Sequence, residues 1–315
     1  MKLEKRIELD FNNSIIKTIG NTPILRLKNI VSHLPDTMEI WVKLEGFNPG
    51  GSVKDRPALQ MVKDGIESGE LTPDKVILDS TSGNTGIALA LIGSILKIPV
   101  TLCMPSNVSS ERKARISAYG AEIVFTSPME GSDGAIVKAR EMYEQNKEKY
   151  FKPDQYANPG NPLAHYLTTG PEIWQQTEGR ITHFVAAIGT GGTVMGTGRF
   201  LKEKNEQIQV YAAEPDDAFH GLEGLKHMES SLVPEIYDAT RLDGIVPIPT
   251  EPSYHLARRL ALEEGIFAGQ SSGGAVWAAL NVAETLLAKG VKSGVIVTIL
   301  PDSGDKYYSK GLWDA

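Results

Sequence analysis

The chain has 315 residues, 41% hydrophobic and 23% charged, enough for about two domains with ordinary cores and too apolar for long disorder. Lys and Arg total 32 against 39 Asp and Glu, a net charge of −7. That sign argues against a general nucleic-acid or anionic-membrane binder while leaving room for a small anion held by local donors. The single cysteine, Cys103, excludes an internal disulfide and a cysteine-rich zinc site, and six scattered histidines give no metal-ligand spacing.

The charged start MKLEKRIELD has no apolar h-region and no apolar run approaches a membrane span, so a cytoplasmic location is expected. Strands are predicted at 40–45 (IWVKLE), 75–80 (KVILDS), 99–105 (PVTLCMP), 122–126 (EIVFT), 183–189 (HFVAAIG), 209–215 (QVYAAEP) and 295–301 (VIVTILP). Most are continuous apolar runs, as expected of strands covered on both faces of a parallel sheet. Helices are predicted between them at 52–69 with a Gly69 stop, 84–97, 109–120 with a Ser cap, and 132–149. Further helices are predicted at 162–179 with a bend at Pro171, and at 192–205, 252–265 and 273–290. The stretch PDQYANPGNP (153–162) reads as a crossing between lobes, and 216–250 as an irregular surface region. Alternating elements imply an α/β architecture with parallel sheets.

Four loop-to-helix junctions could carry chemistry. In NPGGSVKDR (48–56) Lys54 sits in a helix's first turn, where the dipole and desolvation would favour its neutral form and let it capture an aldehyde; a solvated lysine beside Asp55 is the plainer alternative. STSGNTG (80–86) offers free backbone N–H groups for a carboxylate or phosphate, or merely caps a helix. AIGTGGTVMG (187–196) can form an anion-binding nest. It approaches a dinucleotide fingerprint, with Glu214 ending the next strand, but Val194 stands where the third glycine should fall. In GQSSGGAV (269–276) serines precede an apolar helix and either cap it or aim a hydroxyl at a ring nitrogen. Cys103, Trp174, Trp277 and Met195 read as core; His220 and His227 as surface; RKAR (112–115) as a solvated helix face.

Together these junctions, with NTPILRL, MPSNVSSERK, YGAEIV, QYANPGNP, EGIFAGQSSGGA and LPDSGDKYYS, resemble the cysteine synthase/cystathionine β-synthase family of fold type II pyridoxal-phosphate enzymes over essentially the whole chain. The short C-terminus, GDKYYSKGLW, is similar to the cysteine synthase B type. The resemblance implies a two-domain α/β fold like that of the tryptophan synthase β-subunit, with a small mobile domain at 48–165 and a large cofactor-binding domain from 1–47 and 166–315. It implies pyridoxal 5'-phosphate as cofactor, held by Lys54 as a Schiff base. Asn84 would meet the ring hydroxyl oxygen, Gly189, Thr190, Gly191, Gly192 and Thr193 the phosphate, and Ser271 (less plausibly Ser272) the pyridine nitrogen. Thr81, Ser82, Gly83 and Thr85, assisted by Gln155, would grip the substrate carboxylate.

The implied reaction is β-replacement on an activated serine, O-acetylserine preferred, by sulfide or another thiol donor, through an α-aminoacrylate. Lys54 would also be the α-proton base, and a homodimer is implied. Lys226 lies where some relatives meet a substrate phosphate, so O-phosphoserine is an alternative donor. Cystathionine β-synthase or diaminopropionate chemistry is an alternative on the nucleophile side, and GQSSG departs from the family's usual GISSG at Gln270. A nicotinamide-dependent dehydrogenase built on AIGTGGT is a remote alternative.

Overall fold

The computed structural model describes residues 14–81 and 83–314, so the expectations for the N-terminal decapeptide and for Ser82 fall outside the described residues. Its strands are β1 (Ile24–Arg26), β2 (Met38–Leu44), β3 (Val76–Ser80), β4 (Val100–Pro105), β5 (Glu122–Thr126), β6 (Tyr150–Phe151), β7 (His183–Ala187), β8 (Gln209–Pro215), β9 (Gly244–Ile248) and β10 (Gly294–Leu300). Its helices are α1 (Asp55–Glu67), α2 (Asn84–Leu96), α3 (Ser110–Ala118), α4 (Gly131–Gln145), α5 (Gly160–Ala164), α6 (Gly170–Gln176), α7 (Gly192–Lys204), α8 (Thr250–Glu264) and α9 (Gln270–Ala288).

The strands form two sheets. One runs β1-β2-β10-β7-β8-β9, parallel except for the antiparallel β1 edge; the other runs β5-β4-β3-β6 and is wholly parallel. All seven residues of β10 and all six of β4 are buried, which is why their sequences read as unbroken apolar runs. In the larger sheet, Ile40, Val185 and Ile296 pack with Leu256 and Leu260 of α8 and Val276 and Ala279 of α9. On the other face Phe184 and Val297 pack with Val194 and Leu201 of α7 and Ile173 of α6. In the smaller sheet the pleat separates Ile77 and Leu102, which face α1 and α2, from Leu78 and Cys103, which face Ala135 and Ala139 of α4.

Three short strands escape the sequence pattern. β1 and β6 have three and two residues, and β9 lies inside the supposedly irregular 216–250 stretch. β9 is an edge strand containing Pro247, a residue tolerated only at such a position. Around Pro171 the chain forms α5, a π-helical turn at His165–Thr169, and α6 with the proline in its first turn. Ser109 occupies the N-cap of α3, yet its hydroxyl makes no capping bond. The reading of RKAR as a solvated face is corrected below.

Between the two sheets lies a buried charge cluster. Arg56 in the first turn of α1 donates Nε and Nη2 to Glu45 at 2.7 and 2.8 Å, and Nη1 and Nη2 to Glu172 of α6 at 2.6 and 2.8 Å. Lys43 of β2 reaches Glu172 at 2.6 Å, and the Thr22 hydroxyl donates to Glu45 at 2.6 Å. Burial alone would raise the Glu45 pKa, but the Arg56 charge and hydrogen bonds outweigh it and hold Glu45 at about 2. A carboxyl depressed from 4.5 to about 2 adds stability that is complete above pH 4.5 and is lost as pH falls toward 2, about 3 kcal/mol in all. Arg56→Met, which strands Glu45 without its partner, should cost about 3–5 kcal/mol in urea unfolding at pH 7 and flatten the loss of stability between pH 5 and pH 3. An unchanged unfolding midpoint would show that this cluster does not hold the two sheets together.

Candidate active site

The C-terminal ends of the parallel strands of both sheets open on one cavity of about 820 Å³. Crevices outside the carboxyl ends of parallel strands are where α/β folds bind ligands. Lys54, Thr81, Asn84, Thr85, Gln155, Gly189, Thr190, Lys226 and Ser271 all line it. Residues from four separated sequence junctions therefore meet in one place.

The sequence predicts Lys54 in the first turn of a helix starting at 52; the helix starts at Asp55, so Lys54 is its N-cap, and its side chain is half-buried. Its amine has no hydrogen-bond or ion-pair partner among the described residues. Desolvation pulls its pKa down to about 8, with the Asp302 carboxylate pulling more weakly the other way. The half-buried place of Lys54 in the cavity wall is not that of a lysine on the open surface.

The loop after β7 forms the cradle. Gly191 is the N-cap of α7 with φ +84°, a left-handed conformation that favours glycine. A Cβ at Gly189 would lie 2.2 Å from the Gly224 carbonyl oxygen, and one at Gly192 1.9 Å from Asn161 Oδ1. Asn161 Nδ2 donates to Thr190 Oγ1 at 3.0 Å, and Thr193 Oγ1 lies 3.3 Å from Nε2 of His165 in the π-helical turn. Burial pushes His165 down to about 3, so this ring is neutral. The result is a glycine-walled turn whose outermost N–H groups sit at a helix N-terminus and suit an anion.

A dinucleotide reading of this loop fails on two residues. Val194, in place of the third glycine, is buried in the core against the larger sheet. Glu214 accepts the Met228 main-chain N–H at 2.7 Å and is engaged by that loop.

At the other junction Asn84 opens α2, and Gly83 precedes it with φ +143°. Thr81 Oγ1 accepts the N–H groups of Gly83 and Gly86 at 2.9 and 3.2 Å, capping the turn. Thr85 donates its hydroxyl to Gln155 Oε1 at 2.7 Å, while Gln155 Nε2 donates to the Ser80 carbonyl at 2.7 Å. Helix α9 starts at Gln270, so Ser271 and Ser272 lie inside its first turn and do not precede it as predicted. Ser271 faces the cavity; Ser272 and Gln270 are buried and do not line it.

Lys226 lines the cavity but is buried and donates to Asp133 Oδ1 of α4 at 2.6 Å, with its charge 5.4 Å above the Tyr156 ring. Any substrate anion must therefore share it with a carboxylate. His220 is half-buried at the cavity wall and is no plain surface residue. Arg112 of the RKAR cluster, predicted to face solvent, is buried; it pairs with Glu223 and donates to the Tyr307 hydroxyl at 2.7 Å. Sequence reasoning missed Asp133, Arg112, Asp302, Lys306 and Tyr307. For the last three the available signal was that LPDSGDKYYS begins where β10 ends, at the same sheet edge as the other junctions.

Residues 15–302 match the family model described as pyridoxal-phosphate dependent enzyme. The chain belongs to this family. It is 55% identical over 301 residues to the cysteine synthase of Aquifex aeolicus, covering 95% of this chain and 92% of that one. To the cysteine synthase B of Escherichia coli it is 43% identical over 302 residues, covering 96% of each. The crystal structure of the cysteine synthase (OASS) of Entamoeba histolytica superposes with a TM-score of 0.90 at 37% identity, covering 98% of this chain and 92% of that one. The chain therefore has the expected fold type II architecture, and its cofactor is pyridoxal phosphate.

The residues present fit that group. A desolvated amine without a partner among the described residues suits its aldehyde, a glycine turn packed too tightly against Gly224 and Asn161 to admit a Cβ suits its phosphate, and a neutral serine hydroxyl suits its ring nitrogen. If the cradle holds the phosphate through its main chain, Gly192→Ala should weaken pyridoxal-phosphate binding at least tenfold while the unfolding transition stays cooperative. Titration of the apoprotein by absorbance checks this, and wild-type affinity in the variant would contradict the assignment.

Proposed function

We propose that this chain makes L-cysteine by pyridoxal-phosphate-dependent β-replacement on an activated serine, with O-acetylserine as donor and sulfide or another thiol as acceptor. The observation that carries the reading is the Lys54 amine, desolvated and without a hydrogen-bond or ion-pair partner among the described residues, opening on the same cavity as Gly189 and Thr190 of the loop before α7. The likeness to cysteine synthases at up to 55% identity supports the same reaction.

When bound, the cofactor supplies the electron sink that lets a proton leave the α-carbon and a leaving group leave the β-carbon. The chain's residues supply the rest. Lys54 Nζ holds the aldehyde carbon and is the base placed to take the α-proton. The loop of Gly189, Thr190, Gly191, Gly192 and Thr193 binds the phosphate, with the Gly192 N–H turned inward to Thr190 Oγ1 at 3.3 Å to hold the turn. Asn84 meets the ring hydroxyl oxygen, and Ser271 offers a neutral hydroxyl to the ring nitrogen, a weaker partner than a carboxylate. That choice favours elimination and replacement at the β-carbon over transamination. Thr81, Ser82, Gly83, Thr85 and Gln155 bind the substrate carboxylate, and closure of that loop excludes water.

Residues 48–165 are read here as the mobile small domain, and the working molecule as a cytoplasmic homodimer. Among the described residues no helix is long and apolar enough to cross a membrane. The pairing of Lys226 with Asp133 supports an acetyl donor over a phosphoryl donor, because a phosphate dianion would have to displace a carboxylate already at 2.6 Å.

Lys54→Ala should abolish the cofactor's visible band and turnover with O-acetylserine and sulfide together; a turning-over variant would refute the assignment. In the wild-type apoprotein, capture of the aldehyde should speed up as pH rises, with a midpoint near 8, because only the uncharged amine attacks and burial lowers its pKa to about 8. A rate flat between pH 6.5 and 9 would contradict this. Lys226→Ala should change the ratio of O-acetylserine to O-phosphoserine rates by at least threefold, chiefly through the phosphoryl donor. An unchanged ratio would remove Lys226 from donor choice.

A further inference from the structure

The segment after β10 carries a buried side-chain network that the reaction above does not use. Asp302, Lys306 and Tyr307 are all nearly or fully buried. Lys306 Nζ donates to Asn84 Oδ1 at 3.0 Å and to the Gly51 carbonyl at 2.5 Å, and lies 3.9 Å from Asp302 Oδ2. Asp302 Oδ2 accepts from Asn84 Nδ2 at 2.8 Å and from the Tyr307 hydroxyl at 2.9 Å. Tyr307 is in turn held by Arg112 Nη2, at 2.7 Å.

This arrangement determines which way the Asn84 amide points. Its oxygen meets a cation that can only donate, and its nitrogen meets a carboxylate that can only accept. The flipped amide would set nitrogen against ammonium and oxygen against carboxylate. One of the two Nδ2 hydrogens is committed to Asp302. The other remains for a group in the cavity, which Asn84 lines. An oxygen carrying negative charge is what such a hydrogen suits.

The same ammonium holds the loop that leads into Lys54, through the Gly51 carbonyl. The chain after β10 reinforces that hold: Val53 N donates to the Pro301 carbonyl at 2.8 Å, and Ser52 forms an isolated antiparallel bridge with Asp302.

We propose that Lys306, fixed by Asp302, is a positioning residue that sets the orientation of the Asn84 amide and the seat of the Lys54 loop, so that both reach the bound cofactor in register. The inference rests on the functional reading above, in which Asn84 meets the ring hydroxyl oxygen. Lys306 itself touches neither cofactor nor substrate in this role. A lysine with no path to the cavity would otherwise be an expensive thing to bury, and its charge is answered here by one carboxylate and two oxygens.

The test uses the full-length protein and pyridoxal 5'-phosphate, reading the visible absorption maximum and the dissociation constant of the cofactor, with circular dichroism and thermal unfolding as controls for folding. Lys306→Met should weaken cofactor binding at least tenfold and shift the absorption maximum in the same direction as Asn84→Ala. Adding Lys306→Met to Asn84→Ala should change the maximum no further, because Lys306 acts on the ring oxygen through that amide, while a further loss of affinity in the double variant reports its hold on the Lys54 loop. Lys306→Arg, which keeps a charged donor, should recover most of the affinity.

Should Lys306→Met fail to fold, Asp302→Asn provides the second arm. It replaces the acceptor-only carboxylate beside Asn84 Nδ2 with an amide that can turn either its oxygen or its NH2 toward it, loosening the Asn84 orientation, and should shift the maximum in the same direction. A wild-type maximum and affinity in Lys306→Met, alongside a shift in Asn84→Ala, overturns the positioning role and leaves the functional reading standing. Additive shifts in the double variant overturn it as well. If the unaltered chain gains no visible band with the cofactor, both proposals fail together.

Discussion

The fork of Arg56 between Glu45 and Glu172 is the contact on which the site's geometry depends. Lys54 lies two residues away, at the N-cap of α1, so the guanidinium that bonds those carboxylates also fixes where that helix begins. Neither glutamate belongs to the smaller sheet. Glu45 follows β2 and Glu172 lies in α6. The cluster therefore ties a helix of one layer to elements of the other, just below the cavity that opens between them. Buried charges of this kind add little net stability compared with an apolar core, but they tolerate only one arrangement of their partners. A site that needs an amine placed against an aldehyde gains from that restriction.

The electrostatics of the cavity follow from how few full charges face it without partners. Lys54 loses much of its proton affinity to desolvation, and Lys226 is answered by Asp133. On the reading proposed above, the anion is received instead by the glycine turn at the start of α7. A chain with a net charge of −7 can thus hold a phosphate without a basic surface. The neutral His165 behind Thr193 belongs to the same pattern.

The sequence was most readable where chemistry is local. The buried parallel strands announce themselves as apolar runs, and each of the four junctions consists of neighbouring residues, with three of the four following such a run. The junctions could therefore be singled out from local residues, while the roles of Lys54, Asn84, the 189–193 loop and Ser271 within them came from the family resemblance. What was not readable depends on distant partners. RKAR has the look of a solvated face because nothing nearby in the chain shows that Arg112 meets Glu223 and Tyr307. Lys306 and Asn84 are 222 residues apart, and the segment 302–307 has no periodicity to mark it as buried. The edge strands were lost for another reason: β1 and β6 are too short to show alternation, and β9 carries a proline.

The glycine cradle has a consequence for how this chain can diversify. Recognition written in peptide N–H groups has no side chain to exchange, and the space a side chain would need at Gly189 or Gly192 is already occupied by Gly224 and Asn161. Such a loop is mutationally brittle: it can be kept or destroyed, with little in between. Drift in what the pocket accepts must then accumulate on its rim, where Met129 and Phe219 stand almost wholly in solvent and Asp133 meets Lys226.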